Sequence, residues 1–210
     1  VSEAMSAGAA GFSTGLEYSP GKYAEIEEII ALTSVAASHG GIYASHIRNR
    51  ADNFLTAVEE ALTIIRDSGI QGQLSHLAPR PYMNKQFDSV LNTINKAISH
   101  EGLIVGIDTF PDKWAPGPAV TLLPSWVYEG TQDEVISRLE SKKVLQDCQN
   151  SILNPTNYLL RLGGFDSFYL TCSKSFPELV GKSFQEISDI FSLGPVETIF
   201  KLVYADGKDF

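Results

Sequence analysis

The sequence predicts an α/β fold built on a parallel sheet and, within that class, part of a (β/α)8 barrel. Three observations carry this. In the first 110 residues, short apolar runs begin at Gly11, Gly41, Ile70 and Leu103, spaced 30, 29 and 33 residues apart, a period that fits one strand plus one crossover helix. Amphipathic stretches fill the intervals. Each stretch stops at a glycine just before the next run, as the loop from a helix into a strand prefers. Strands alternating with helices imply a parallel sheet with covered faces. An open doubly wound sheet wants a Gly-rich phosphate turn after its first strand, and STGLEYSPG after the first run is not GxGxxG. This favours the barrel. With about four βα units against the eight a barrel needs, that reading makes the chain part of a larger domain.

The elements follow in order. The runs are Gly11–Leu16, Gly41–Ile47, Ile70–Leu77 and Leu103–Phe110. A helix over Tyr23–Ser38 aligns Ile26, Ile29, Ile30, Thr33 and Ala37, with Glu25, Glu27 and Glu28 at the positive end of its dipole. A second over Asn53–Ser68 aligns Leu55, Val58, Leu62 and Ile65 and stops at Gly69; a third over Gln86–His100 turns Val90, Leu91, Ile94, Ala97 and Ile98 inward. Beyond residue 110 the rhythm is lost. Pro111–Pro124 reads as a long ordered loop, Gln132–Asp147 as a helix, Asp166–Cys172 as a strand, and Phe184–Ala205 as two helices broken at Gly194-Pro195. Residues 1–120 thus hold the regular βα units, 121–183 an irregular, helical insertion, and 184–210 a helical return to the barrel.

Composition excludes several classes of function. Hydrophobic residues make up 43% and charged residues 20%, ordinary for a globular protein, and no stretch approaches the roughly 20 apolar residues that span a bilayer. The formal net charge of -9 repels nucleic-acid phosphates. Two isolated cysteines, Cys148 and Cys172, form neither a disulfide framework nor a CxxC motif, so the expected compartment is the reducing cytoplasm. Neither a nucleic acid nor a membrane is expected as partner; the oligomeric state is left open.

In parallel α/β proteins, functional side chains gather where strands end. His46 ends the second run and His76 the third, 30 residues or one βα unit apart. Neighbouring parallel strands lie about 4.8 Å apart, close enough for two imidazoles to share an ion at about 2.0–2.1 Å from each nitrogen. A lone histidine at a strand end is more often structural, and spacing alone leaves the metal and structural readings of the pair both open. His39 and His100 precede glycines at helix ends and read as dipole-complementing residues on the opposite rim. Ser13, Thr14, Glu17 and Tyr18 share the predicted functional rim. Arg48 and Arg80 lie there too and suit a substrate carboxylate, with a structural salt bridge the equal alternative; for Arg50 the salt bridge is favoured. Asp108, ending the fourth run, is a candidate partner for a ligating imidazole. Trp114, Trp126 and Tyr128 suit an apolar wall or, more readily, a core.

At GFSTGLEYSPG, GIYASHIRNR, QLSHL and LLPSWVYEG, and more weakly in PELVGKSFQEI and GPVETIFKLV, the sequence resembles the N-acyl-D-amino-acid deacylases (D-aminoacylases) of the amidohydrolase superfamily. The resemblance runs from about residue 4 to residue 130 and faintly to 205. It implies a TIM-type metal-dependent hydrolase barrel, a small N-acyl amino acid as substrate, and water activated by Zn2+ as nucleophile. It implies that His46 and His76 are zinc ligands of consecutive strands and that Tyr18 helps hold the substrate carboxylate. The family's early His-x-His pair, its cysteine ligand and its catalytic aspartate have no counterpart here, so no catalytic residue is assigned within the chain, and Cys148, Cys172 and Asp108 inherit nothing. Many members carry lysine after SHL; here Ala78 stands there, with Arg80 two residues on as the candidate replacement. Two other readings stay open: a dihydroorotase- or hydantoinase-like cyclic amidase, against which GFSTGL offers no bridging lysine, and a non-catalytic barrel remnant. Imidazole ligands also suit nickel, copper and iron.

Overall fold

A computed structural model describes residues 1–80, 86–111, 115–155 and 157–207. It divides into two compact units, Val1–Lys113 and Trp114–Phe210.

The first unit opens with a short helix, α1 (Ser2–Ser6), and then alternates β1 (Gly11–Gly15), α2 (Ile26–Ser38), β2 (Ile42–His46), α3 (Phe54–Ser68), β3 (Gln71–Leu74), α4 (Phe87–Glu101) and β4 (Val105–Ile107). The four strands form one parallel sheet in the order β1-β2-β3-β4. Spatial order equals chain order across these four strands. Along the strands every second residue points to the helices. Tyr43, Ser45 and Leu74 are fully buried on that face, in one core with Ile29 of α2, Phe54 of α3 and Ile94 of α4. Gly72 lies on it as well. A Cβ there would fall 2.1 Å from the Ile65 side chain, so only glycine lets α3 sit this close to β3. The other face presents Ile42, Ala44 and His46 of β2.

The helices start and stop for local reasons. The predicted N-terminal turn of α2 is instead a 3-10 turn over Gly21–Tyr23; Glu25 is extended, and the α-helix begins at Ile26. Gly69 and Gly102 end α3 and α4 in the left-handed conformation, which lacks the Cβ clash that other residues incur. Burial follows Val90, Ile94 and Ala97 down α4, whereas Ile98, expected inward, is 41% exposed because it lies beside that stripe.

The second unit is helical: α5 (Ser125–Tyr128), α6 (Gln132–Leu139), α7 (Lys142–Ile152), α8 (Tyr158–Arg161), α9 (Phe184–Phe191) and α10 (Pro195–Asp206), with 3-10 turns between. A separate apolar core joins segments from Val120 to Val203. Two sequence expectations are corrected here. The helix expected over Gln132–Asp147 is two helices, because Ser141 leaves helical geometry and its hydroxyl accepts from the Val144 N–H, starting α7 afresh. The strand expected over Asp166–Cys172 reduces to a single antiparallel bridge, Tyr169 to Ser183, preceded by a 3-10 turn. The break at Gly194-Pro195 lies where expected, with Pro195 at the first position of α10. The loop expected over Pro111–Pro124 carries a 3-10 turn at Ala119–Leu122; residues 112–114, with Trp114, lie outside the described residues. Trp126 is 42% exposed, and Tyr128 packs against this second core.

Candidate functional site

Because the strands are parallel, their C-terminal ends meet on one rim, and each supplies a polar group. Glu17 follows β1 by two residues, His46 is the last residue of β2, His76 follows β3 by two, and Asp108 is the first residue after β4. The register pairs Gly15 with His46, which carries Glu17 across to the imidazole of the neighbouring strand.

His76 sits in a tight reversal. Its φ of 40° is left-handed, a conformation most side chains avoid, and the Ala78 N–H donates back to its carbonyl at 2.7 Å. Asp108 holds the reversal. Its carboxylate accepts from the His76 backbone N–H and from Gln73 Nε2, the latter at 2.7 Å, while its carbonyl accepts from the Leu77 N–H at 2.7 Å. Asp108 therefore shapes the turn and does not contact the imidazole, contrary to the sequence expectation. Strain concentrated at such a turn is typical of functional positions.

The two imidazoles meet. His46 Nδ1 lies 3.0 Å from His76 Nε2, and the rings stand edge to face at 4.4 Å between centroids. The other nitrogen of His46, Nε2, donates to Glu17 Oε2 at 2.6 Å. Phe110 stacks on His76 at 5.7 Å, and the Tyr18 ring lies tilted against His46 at 4.7 Å. Glu17 also receives Arg50 on Oε2 at 3.3 Å and Arg80 on Oε1 at 3.4 Å. Burial raises the pKa of its carboxyl, but the His46 hydrogen bond and the charges of Arg50 and Arg80 outweigh it and bring the pKa down to about 2. Burial, together with the charge contributions of its neighbours, lowers the pKa of His76, which disfavours its charged form. Burial and the Glu17 charge raise the Tyr18 phenol, which stays protonated and able to donate.

Donor chemistry tests whether a cation fits. With its proton on Nε2, His46 turns a lone pair toward His76. If His76 carries its proton on Nδ1, two lone pairs face each other. If it carries it on Nε2, the buried Nδ1, which has no hydrogen-bond partner, is left as an unpaired acceptor. A shared cation relieves the first arrangement. Two nitrogens on a tetrahedral zinc lie about 3.3 Å apart, near the observed separation. The residues fit the ion as two of its ligands. Among the described residues no cluster of three metal-ligating side chains occurs.

The remaining expectations divide. Arg80 reaches the site through Glu17. Arg48 does not: its guanidinium donates to both Glu60 oxygens at 2.8–3.0 Å and to the carbonyls of Lys22 and Ala24 at 2.6 and 2.9 Å. Four of its five N–H groups are thus committed to binding loop and helix together, which removes Arg48 from the carboxylate-binding set. His39 ends α2 beside Ser2, and His100 lies in the last turn of α4, both at the far rim. Sequence reading did not single out Glu17 for any role, although its place two residues beyond a strand end was a usable signal.

No protein-family model matches the chain. It is similar to an N-acyl-D-glutamate deacylase of Alcaligenes xylosoxydans xylosoxydans, 38% identical over 125 residues, covering 59% of this chain and 25% of the relative. A D-aminoacylase of the same organism is 34% identical over 111 residues, covering 52% and 22%. The chain thus spans about a quarter of the length of these relatives. Among solved structures, the N-acyl-D-glutamate deacylase of Bordetella bronchiseptica, complexed with zinc and a phosphonate mimic of the tetrahedral intermediate, superposes with a TM-score of 0.71 at 27% identity, over 97% of this chain and 35% of that one. A D-aminoacylase described as defining a novel subset of amidohydrolases superposes at 0.65 and 24% identity, over 96% and 34%, a likeness of fold. In sequence and in fold, the chain is similar to a part of N-acyl-D-amino-acid deacylases.

Proposed function

We propose that the protein carrying this chain is a zinc-dependent amidohydrolase that cleaves N-acyl-D-amino acids, adding water across the amide to give a carboxylic acid and a free D-amino acid. The observation that carries this reading is the approach of His46 Nδ1 to His76 Nε2 at 3.0 Å, on the rim where parallel strands end. The kinship with deacylases supplies the reaction class.

Zinc held by His46 and His76 would supply Lewis acidity toward water and the scissile carbonyl. The chain's own groups do the rest. Both imidazoles are neutral donors in their ligating form, and His46 is held in one orientation by Glu17 and Tyr18. Tyr18 and Arg80, on the same rim, orient the substrate carboxylate by a phenol donor and a guanidinium charge. The remaining ligands and the group that moves the proton from water to the leaving amine belong to sequence beyond this stretch. In the same reading the four strands, in chain order with their helices on one face, are half of a (β/α)8 barrel, and residues 121–183 are an insertion in it.

The test is replacement of each histidine in the natural protein. H46A and H76A should each lose stoichiometric zinc and reduce hydrolysis of N-acyl-D-glutamate by more than about 100-fold, beyond what is typical for outer-shell partners. Full zinc content and normal turnover in both variants would overturn the assignment.

A further inference from the structure

We infer that Glu17 is a positioning residue of this centre: its carboxylate fixes His46 as the tautomer protonated on Nε2, so that Nδ1 offers its lone pair toward His76. The inference deepens the zinc reading above and rests on it.

A neutral imidazole carries one N–H, and the partner of one nitrogen decides what the other can do. The partner here is a carboxylate, which only accepts, at 2.6 Å from Nε2. Nδ1 is then left as an acceptor, and it is the nitrogen that faces His76. A purely structural ion pair would place the arginines closest to Glu17. Instead the imidazole contact is the shortest of the three, and Arg50 and Arg80 stand off at 3.3 and 3.4 Å. They hold the carboxylate from both oxygens, and the Arg80 N–H donates to the Arg50 carbonyl at 3.0 Å, tying the loops after β2 and β3 together behind it. Tyr18, the residue after Glu17, closes the face of the His46 ring. The loop after β1 therefore governs a ligand that belongs to β2. A carboxylate behind a ligating histidine also raises its basicity.

The experiment combines tautomer and metal readouts in the natural protein. In the metal-free wild type, at a pH where the imidazole is neutral, nitrogen-15 NMR should find the His46 proton on Nε2; a proton on Nδ1 overturns the inference without any variant. Zinc affinity is then measured for wild type, E17Q, E17A and H46A. E17A should bind zinc 10- to 100-fold more weakly. E17Q, which keeps an acceptor oxygen and loses the charge, should fall between E17A and wild type, and it gives the result should E17A fail to fold. Wild-type affinity in the Glu17 variants alongside loss in H46A overturns the positioning role alone. Wild-type affinity in H46A itself overturns the zinc reading, and the tautomer measurement still distinguishes that failure.

Discussion

The two units solve the problem of starting a helix in opposite ways. In Val1–Lys113 the principal helices have 13, 15 and 15 residues, and none has a side-chain cap among the described residues. In Trp114–Phe210 the helices run from 4 to 12 residues, and caps are frequent. Thr131 with Glu134 and Ser183 with Glu186 form reciprocal capping boxes, Ser141 and Asn157 accept from N–H groups of the next turn, and the Glu197 carboxylate accepts from the Gly194 N–H. Long helices laid on a sheet draw their stability from the apolar face they bury. Short helices are marginal in isolation and depend on satisfying their first N–H groups locally. The unit whose helix starts lack side-chain caps also gathers titratable side chains at its strand ends, where His46, His76, Glu17, Arg50 and Arg80 meet.

That contrast is open to direct attack. The largest effect should come from the core of the first unit. Phe54 is fully buried and stacks near Phe87, so Phe54→Ala should lower stability by about 3–5 kcal/mol, read by denaturant unfolding. A loss under about 1 kcal/mol would show that packing on the sheet is not what holds α3. Next comes acid. The folded pKa of Glu17, about 2, lies below its unfolded value, so its contribution is present above about pH 4.3 and is lost as pH falls toward 2. In metal-free protein that contribution is on the order of 3 kcal/mol, and E17Q should flatten the stability profile across this window. The smallest effect sharpens the comparison itself. Ser183→Ala should cost about 1 kcal/mol, whereas Asn53→Ala, at the uncapped start of α3, should cost less than about 0.5. Equal losses would erase the distinction between the units.

The first unit was legible because its sequence repeats. One period recurs three times, glycines mark the helix ends, and apolar stripes at helical spacing name the core, so strand order and the histidine rim follow from pattern. The second unit carries no period. Whether Ser141 interrupts a helix or rides along one depends on a cap formed only once the turn exists, and FYL reads as strand until its pairing proves to be one bridge. Within the site, ligand-type residues were readable by spacing, while their partners were not. Asp108 looked suited to an imidazole and Glu17 carried no such mark, yet the fold gave the ring to Glu17 and the His76 backbone to Asp108. Arg48 and Arg50 are two residues apart, yet Glu60 of α3 captures the first and leaves the second facing Glu17.

The left-handed backbone of His76 sets selection for endurance against selection for turnover. Glycine and asparagine relax that conformation, by roughly 1–2 kcal/mol for glycine, and remove the imidazole in the same exchange. Breeding this protein for heat resistance alone would therefore reward erasure of position 76. Keeping histidine there requires that every round also be scored on chemistry.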